Sequence, residues 1–204
     1  TSAVALAISA GMAAAALAIP VTQALEALSH ASPAVVVRYL GPLVEETLKL
    51  VLIAALLYRK RIGFPVDAGV LGFAVGAGFS LVENVVFLRA LGDGTLTLWL
   101  VRGLGTAILH GGTTSIAAMI AKMLSEGSPN RLARPLAGGW VAAVLLHSAY
   151  NHLLLPPVYA MLVVLVVFPL LILVVFEHSE KATREWVGAG LDLDVELLQL
   201  IASE

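Results

Sequence analysis

Six apolar runs, at about residues 3–28, 34–58, 65–90, 96–121, 135–155 and 157–176, leave this chain few ways to fold. At about 1.5 Å of rise per residue, each is long enough to cross the ~30 Å hydrocarbon core of a bilayer as a helix. Lipid offers no partner to a bare backbone amide or carbonyl, so each run must satisfy its hydrogen bonds internally. Composition excludes a water-soluble domain, with 59% hydrophobic residues, 13% charged residues and a mean hydropathy of +0.95. The expected fold is all-α, a polytopic transmembrane helical bundle of about six spans. Residues 1–178 form the membrane domain, and 179–204 a short cytoplasmic amphipathic helix, with Leu193, Val195, Leu197, Leu198 and Ile201 set among Asp192, Asp194 and Glu196.

Basic residues set the orientation. Arg59, Lys60, Arg61, Lys122, Arg131, Arg134, Lys181 and Arg184 fall on one side of this map, with Arg89 in a loop opposite. The positive-inside rule places those eight in the cytoplasm, together with both ends of the chain, in an integral membrane protein of a prokaryotic plasma membrane. The lipid bilayer is the first implied partner and no nucleic acid is implied; the sequence sets no oligomeric state.

Ionisable residues inside the spans then carry the functional reading. Membrane insertion penalises an isolated mid-span charge by roughly 2.5–3.5 kcal/mol, yet the second span holds Glu45, Glu46 and Lys49 together. On a helix Lys49 lies between the two carboxylates, three and four positions on, and reaches either. The third span adds Glu83 and Asn84, the fourth Arg102 and His110, and the fifth His147 with Asn151 one turn later. Counted from the span ends, Glu45, His110 and His147 share one depth near mid-bilayer, with Glu83 and Asn151 displaced toward the outer leaflet. Four helices thus bring their most polar residues to one slab, which points to a shared site. Gly72 and Gly76 make a small-xxx-small strip whose use is close helix packing.

Without cysteine, the reactive groups are carboxylates, imidazoles, hydroxyls and amines. A glutamate in an apolar pocket can take a proton from water, a neighbouring histidine can orient that water, and a second histidine with an asparagine can donate to an oxyanion. Peptide hydrolysis inside the membrane uses that set: Glu45, Glu46, Glu83, His110, His147 and Asn151 catalytic, with Lys49, Asn84 and Arg102 supporting. No cofactor is favoured. The alternative is zinc or another divalent metal on Glu83, His110 and His147, although no HExxH helix is present. A proton-coupled transporter and a non-catalytic membrane scaffold are the rival classes.

Glu45-Glu46-Thr47-Leu48-Lys49, Phe79 to Glu83-Asn84, His110, and His147 to Asn151, in that order on successive spans, resemble the PrsW family of intramembrane proteases over about residues 34–155. That family is related to the type II CAAX prenyl endopeptidases within the CPBP superfamily. The resemblance implies a glutamic-type or metal-dependent endopeptidase acting on transmembrane protein substrates, anti-sigma factors among them. It further implies Glu45 as water-activating residue, Glu46 as its partner, Glu83 and His110 as second- and third-motif residues, and His147 with Asn151 as the oxyanion pair.

Overall fold

The computed structural model describes residues 2–91, 95–125, 132–152 and 155–202, except for the side chains of 91, 102, 157, 179, 182, 183, 185–187 and 189–202. All regular structure among them is helical. In chain order the elements are α1 (Ser2–Ser29), α2 (Pro33–Val35), the π-helical turn π1 (Val36–Leu40), α3 (Gly41–Tyr58) and α4 (Pro65–Leu91). There follow α5 (Leu96–Leu100), a second π-helical turn π2 (Val101–Thr106), α6 (Ala107–Ser125), α7 (Ala133–His152) and α8 (Pro157–Ala202). Because α2, π1 and α3 run on without a break, as do α5, π2 and α6, the chain makes six rods at the six expected positions. Pro33, Pro65 and Pro157 each open a helix, where a missing amide hydrogen leaves nothing unpaired.

By length and composition, four stretches qualify as membrane spans: Ser2–Ser29, Pro65–Ala90, Leu96–Ser125 and Val158–His178. The rods carrying α3 and α7 fall short of that measure; α3 is the one that holds Glu45, Glu46 and Lys49. These two rods pack among the more apolar ones, and α4 lies between α1 and α6.

Close approach of α4 to its neighbours depends on glycine. A Cβ placed on Gly76 would stand 2.0 Å from the His110 carbonyl oxygen, and one on Gly72 would stand 2.6 Å from that of Thr114. The Gly72/Gly76 strip is therefore the α4–α6 contact line, as expected from the sequence. On the other side of α4, a Cβ on Gly78 would meet the Ile8 carbonyl of α1 at 2.1 Å. Gly139 does the same for α7, since its Cβ would stand 2.3 Å from the Ala117 carbonyl of α6. With α4 and α7 both drawn against it, α6 buries nearly every side chain from Leu109 to Met119. Apolar clusters around Ile53, Val75 and Ala117, around Ala15 and Phe79, and around Leu109, Val164 and Phe168 fill the space between rods.

The chain past Glu177 is helical, as expected, and is joined to the last span. α8 continues without interruption from the span to Ala202. The side chains of the tail's apolar stripe, Leu193 to Ile201, lie outside the described residues, as do the 126–131 connection with Arg131 and residues 153–154 at the end of the fifth run.

Candidate functional site

The buried stripe of α3 runs Glu46, Lys49, Leu50, Ile53, Leu57, the three-and-four spacing of one helix face. Two charged residues therefore occupy the N-terminal part of a face that is otherwise apolar core. α7 presents Pro135, Gly139, Ala143 and His147, a strict four-residue stripe of small side chains ending in an imidazole. Those small residues let α7 approach α6 closely enough for the His147 ring to meet His110 edge-on, with centroids 4.9 Å apart.

The proton arrangement follows from what each group can donate. Lys49 Nζ, fully buried, lies 2.9 Å from Glu46 Oε1 and 2.7 Å from His110 Nδ1. An ammonium only donates, so His110 Nδ1 accepts and its proton sits on Nε2, which bonds Glu83 Oε2 at 2.8 Å. His147 Nδ1 lies 2.7 Å from Glu46 Oε1, a carboxylate that only accepts, so that nitrogen carries the proton and Nε2 of the neutral ring holds a lone pair. Each imidazole thus has a carboxylate on one nitrogen; the other nitrogen of His110 accepts from Lys49, and that of His147 lies 3.9 Å from Glu45. Phe79 closes the floor: Lys49 Nζ stands 4.1 Å above its ring centroid, and His110 packs on it at 5.1 Å.

Glu45 completes the cluster. Its Oε2 is buried without a hydrogen-bond partner and lies 3.9 Å from both His110 Nδ1 and His147 Nε2, and 3.8 Å from Lys49 Nζ. Glu46 Oε2 is likewise buried and unpartnered. Glu45, His110 and His147 offer three ligand atoms within 4.8 Å of one another, the two sides from Glu45 Oε2 being 3.9 Å. Ligand atoms on one metal at bonds of about 2.0–2.1 Å lie about 3.4 Å apart, so the triangle would have to contract by about 0.5 Å on those two sides. The donor set fits a divalent metal in kind as well: two imidazoles and a carboxylate, with Glu46 and Glu83 behind the imidazoles in the usual place of carboxylates that orient metal-binding histidines. Glu83 itself lies on the far nitrogen of His110, so Glu45 is the carboxylate that faces both lone pairs.

Two further layers hold the site. Thr113 Oγ1 donates to the His110 carbonyl at 3.1 Å and reaches Glu46 Oε1 at 3.5 Å. Toward the far end of α4, Ser80, Asn84 and Thr106 close a ring of hydrogen bonds: Asn84 Nδ2 to Ser80 Oγ at 3.1 Å, Thr106 Oγ1 to Asn84 Oδ1 at 2.9 Å, and Ser80 Oγ to Thr106 Oγ1 at 3.0 Å. Arg102, expected nearby, has a side chain outside the described residues. The second layer clasps α7 to π1. Asn151 Nδ2 donates to the Val37 carbonyl at 2.8 Å, Ser148 Oγ donates to the Arg38 carbonyl, and His152 Nε2 meets the Tyr39 hydroxyl at 3.0 Å. A π turn frees backbone carbonyls from the helical ladder, and these three α7 side chains sit on that turn.

Glu45, Glu46, Lys49, Glu83, His110 and His147 therefore meet in one cluster from four rods, while Asn84 joins the adjacent ring and Asn151 the π1 clasp. Sequence reasoning passed over Thr113, Ser80 and Ser148 as site residues. Thr113 lies three positions after His110 and Ser80 three before Glu83, so helical spacing was the available signal. For π1 the available signal was Pro42, which has no amide hydrogen to give to the Arg38 carbonyl four residues earlier.

The model of a family described as PrsW family intramembrane metalloprotease matches residues 1–175. No curated protein and no solved structure gives a match.

Proposed function

The chain belongs to the PrsW family of intramembrane metalloproteases, and from that premise and the site geometry we propose that it hydrolyses peptide bonds of membrane-anchored proteins with Glu45 as the water-activating residue. The observation that carries this reading is the free, buried Oε2 of Glu45, 3.9 Å from His147 Nε2, whose lone pair is open, and 3.9 Å from His110 Nδ1, which accepts from Lys49. A water placed among these three atoms has a carboxylate to take its proton and an imidazole to orient it. Glu46 fixes the tautomer of His147 through Nδ1, leaving Nε2 for the reacting water, and Lys49 supplies positive charge beside the carbonyl oxygen as it becomes negative. Asn151, one turn beyond His147, keeps α7 seated on π1 and so holds His147 opposite Glu46.

Glu45, His110 and His147 are the residues that would hold the metal that the word metalloprotease in the family description implies. When bound there, a divalent ion supplies Lewis-acid polarisation of the carbonyl and a lower pKa for water. Glu46 and Glu83, each on the far nitrogen of one imidazole, orient the two rings toward it.

The substrates proposed are single-span proteins of anti-sigma-factor type, presented in a plasma membrane with both ends of this chain cytoplasmic, and cut near their extracytoplasmic membrane end. Detergent-purified protein incubated with a synthetic single-span substrate tests the proposal. Wild type gives a discrete product and His147→Ala suppresses it, while loss of product with a strong chelator marks the form of the site in which Glu45 is a metal ligand rather than the base. Equal product in all three samples refutes the reading.

A further inference from the structure

Lys49 is the most unusual residue in the cluster, a lysine with no exposed surface inside a membrane protein. Its ammonium has two hydrogen-bond acceptors, Glu46 Oε1 at 2.9 Å and His110 Nδ1 at 2.7 Å, with Glu45 Oε2 3.8 Å away. His110 has no second lone pair to offer, because its Nε2 is bound to Glu83. The nitrogen that would ligate a metal is therefore the nitrogen the lysine holds.

We propose that Lys49 is a resident cation of the metal-free site, and that its ammonium and a divalent metal compete for His110 Nδ1, so that this one lysine sets how tightly the site holds metal. The inference rests on the reading of Glu45, His110 and His147 as metal ligands. Without metal, three carboxylates, Glu45, Glu46 and Glu83, crowd two imidazoles in a setting of low dielectric, and the ammonium offsets their repulsion. When metal arrives, two positive centres cannot share one lone pair, and at about 4 Å they repel. Lys49 has a second resting place within reach: it gives up Nδ1 while keeping Glu46 Oε1 and the face of Phe79, whose centroid is 4.1 Å from Nζ. The exchange needs no backbone movement, only rotation of the lysine head about the contact with Glu46.

Zinc titration of chelator-stripped protein, followed by calorimetry, tests the competition on wild type, Lys49→Met and His147→Ala. Lys49→Met binds zinc about tenfold or more tighter than wild type, the worth of one charge-assisted hydrogen bond that no longer has to break, and His147→Ala loses the tight site. Equal or weaker binding by Lys49→Met overturns the inference while leaving the ligand set standing. Equal binding by wild type and His147→Ala overturns the ligand set itself. Because Lys49→Met leaves buried acids without their cation and could misfold, unsubstituted protein labelled with 15N-lysine provides a second measurement. One equivalent of zinc moves the Lys49 ammonium resonance and leaves those of Lys60, Lys122 and Lys181 in place. A Lys49 signal that stays fixed while zinc binds overturns the competition.

Discussion

Replacing Gly76 with alanine changes no side chain of the site, yet it should disable it. The added Cβ would stand 2.0 Å from the His110 carbonyl oxygen, 2.3 Å from its carbonyl carbon and 2.5 Å from the Gly111 nitrogen. All three are backbone atoms of α6, so no rotamer change relieves the clash. Carbon to oxygen contacts below about 3 Å are essentially never sustained, so α6 must withdraw from α4 by roughly 1 Å at His110. That movement stretches the 2.8 Å bond from His110 Nε2 to Glu83 on α4 beyond hydrogen-bond range and carries Nδ1 away from Glu45. A misplacement of about 1 Å is worth roughly 10²-fold in rate, and overpacking of this kind lowers stability by about 1–3 kcal/mol. Two companion variants grade the effect. Gly72→Ala, whose Cβ would lie 2.6 Å from the Thr114 carbonyl, demands less than half that shift and lies one turn farther from the histidine. Gly103→Ala meets nothing within 4 Å and serves as a control. Initial rates on a single-span substrate, with thermal unfolding in the same detergent, should rank the losses Gly76→Ala, then Gly72→Ala, then Gly103→Ala. Wild-type rates from Gly76→Ala, or an equal loss in Gly103→Ala, would refute the link between the glycine contact and the site.

Glu46→Gln removes the charge that Lys49 and His147 share in a fully buried place, and should lower unfolding free energy by about 3–5 kcal/mol. Adding Lys49→Met should return part of that loss, and strictly additive losses in the double variant would show that the pair is not coupled. Asn151→Ala strips the Val37 carbonyl of its side-chain donor and should reduce stability by only about 0.5–1.5 kcal/mol while lowering kcat, with KM unchanged; a raised KM at full kcat would instead place Asn151 in substrate binding. Trp140→Phe loses the 2.9 Å bond from Nε1 to Thr47 Oγ1, on the α3–α7 flank away from the imidazoles, and should leave the cleavage rate within about threefold of wild type.

Hydropathy located the rods because lipid leaves a backbone so few alternatives, and the Gly72/Gly76 strip was legible because close helix packing in a membrane selects small residues at that spacing. Convergence of Glu45, His110 and His147 was legible from depth alone. Depth says nothing of rotation, however, and the two glutamates differ by a rotation of one residue. Lys49 could reach either by spacing; its contacts with His110 and the Phe79 ring bring it to Glu46 at 2.9 Å and leave Glu45 at 3.8 Å. Asn151 lies one turn from His147, as the spacing implied, but π1 brings the Val37 carbonyl to its amide. Each π turn admits an extra residue; Gly103 and Gly105 lie in π2 and Gly41-Pro42 follows π1, but glycine and proline there do not specify a π turn over any other irregularity. The polar residues from Glu177 to Lys181 suggested an end to the last span, yet they include neither glycine nor proline, and a helix leaving the membrane has no cause to stop there. Arg184 and Glu180, paired four residues apart at 2.6 Å, lie on the continuing helix.

Glu45→Gln tests the account most directly, because it keeps the shape of the side chain whose free oxygen faces both imidazoles and removes its ability to take a proton. With a single-span substrate in 18O-labelled water, mass spectrometry reads both the amount of product and the label in its new carboxylate. The account predicts that wild type yields labelled product and that Glu45→Gln yields at least about 10²-fold less. Product formed by Glu45→Gln at the wild-type rate contradicts it.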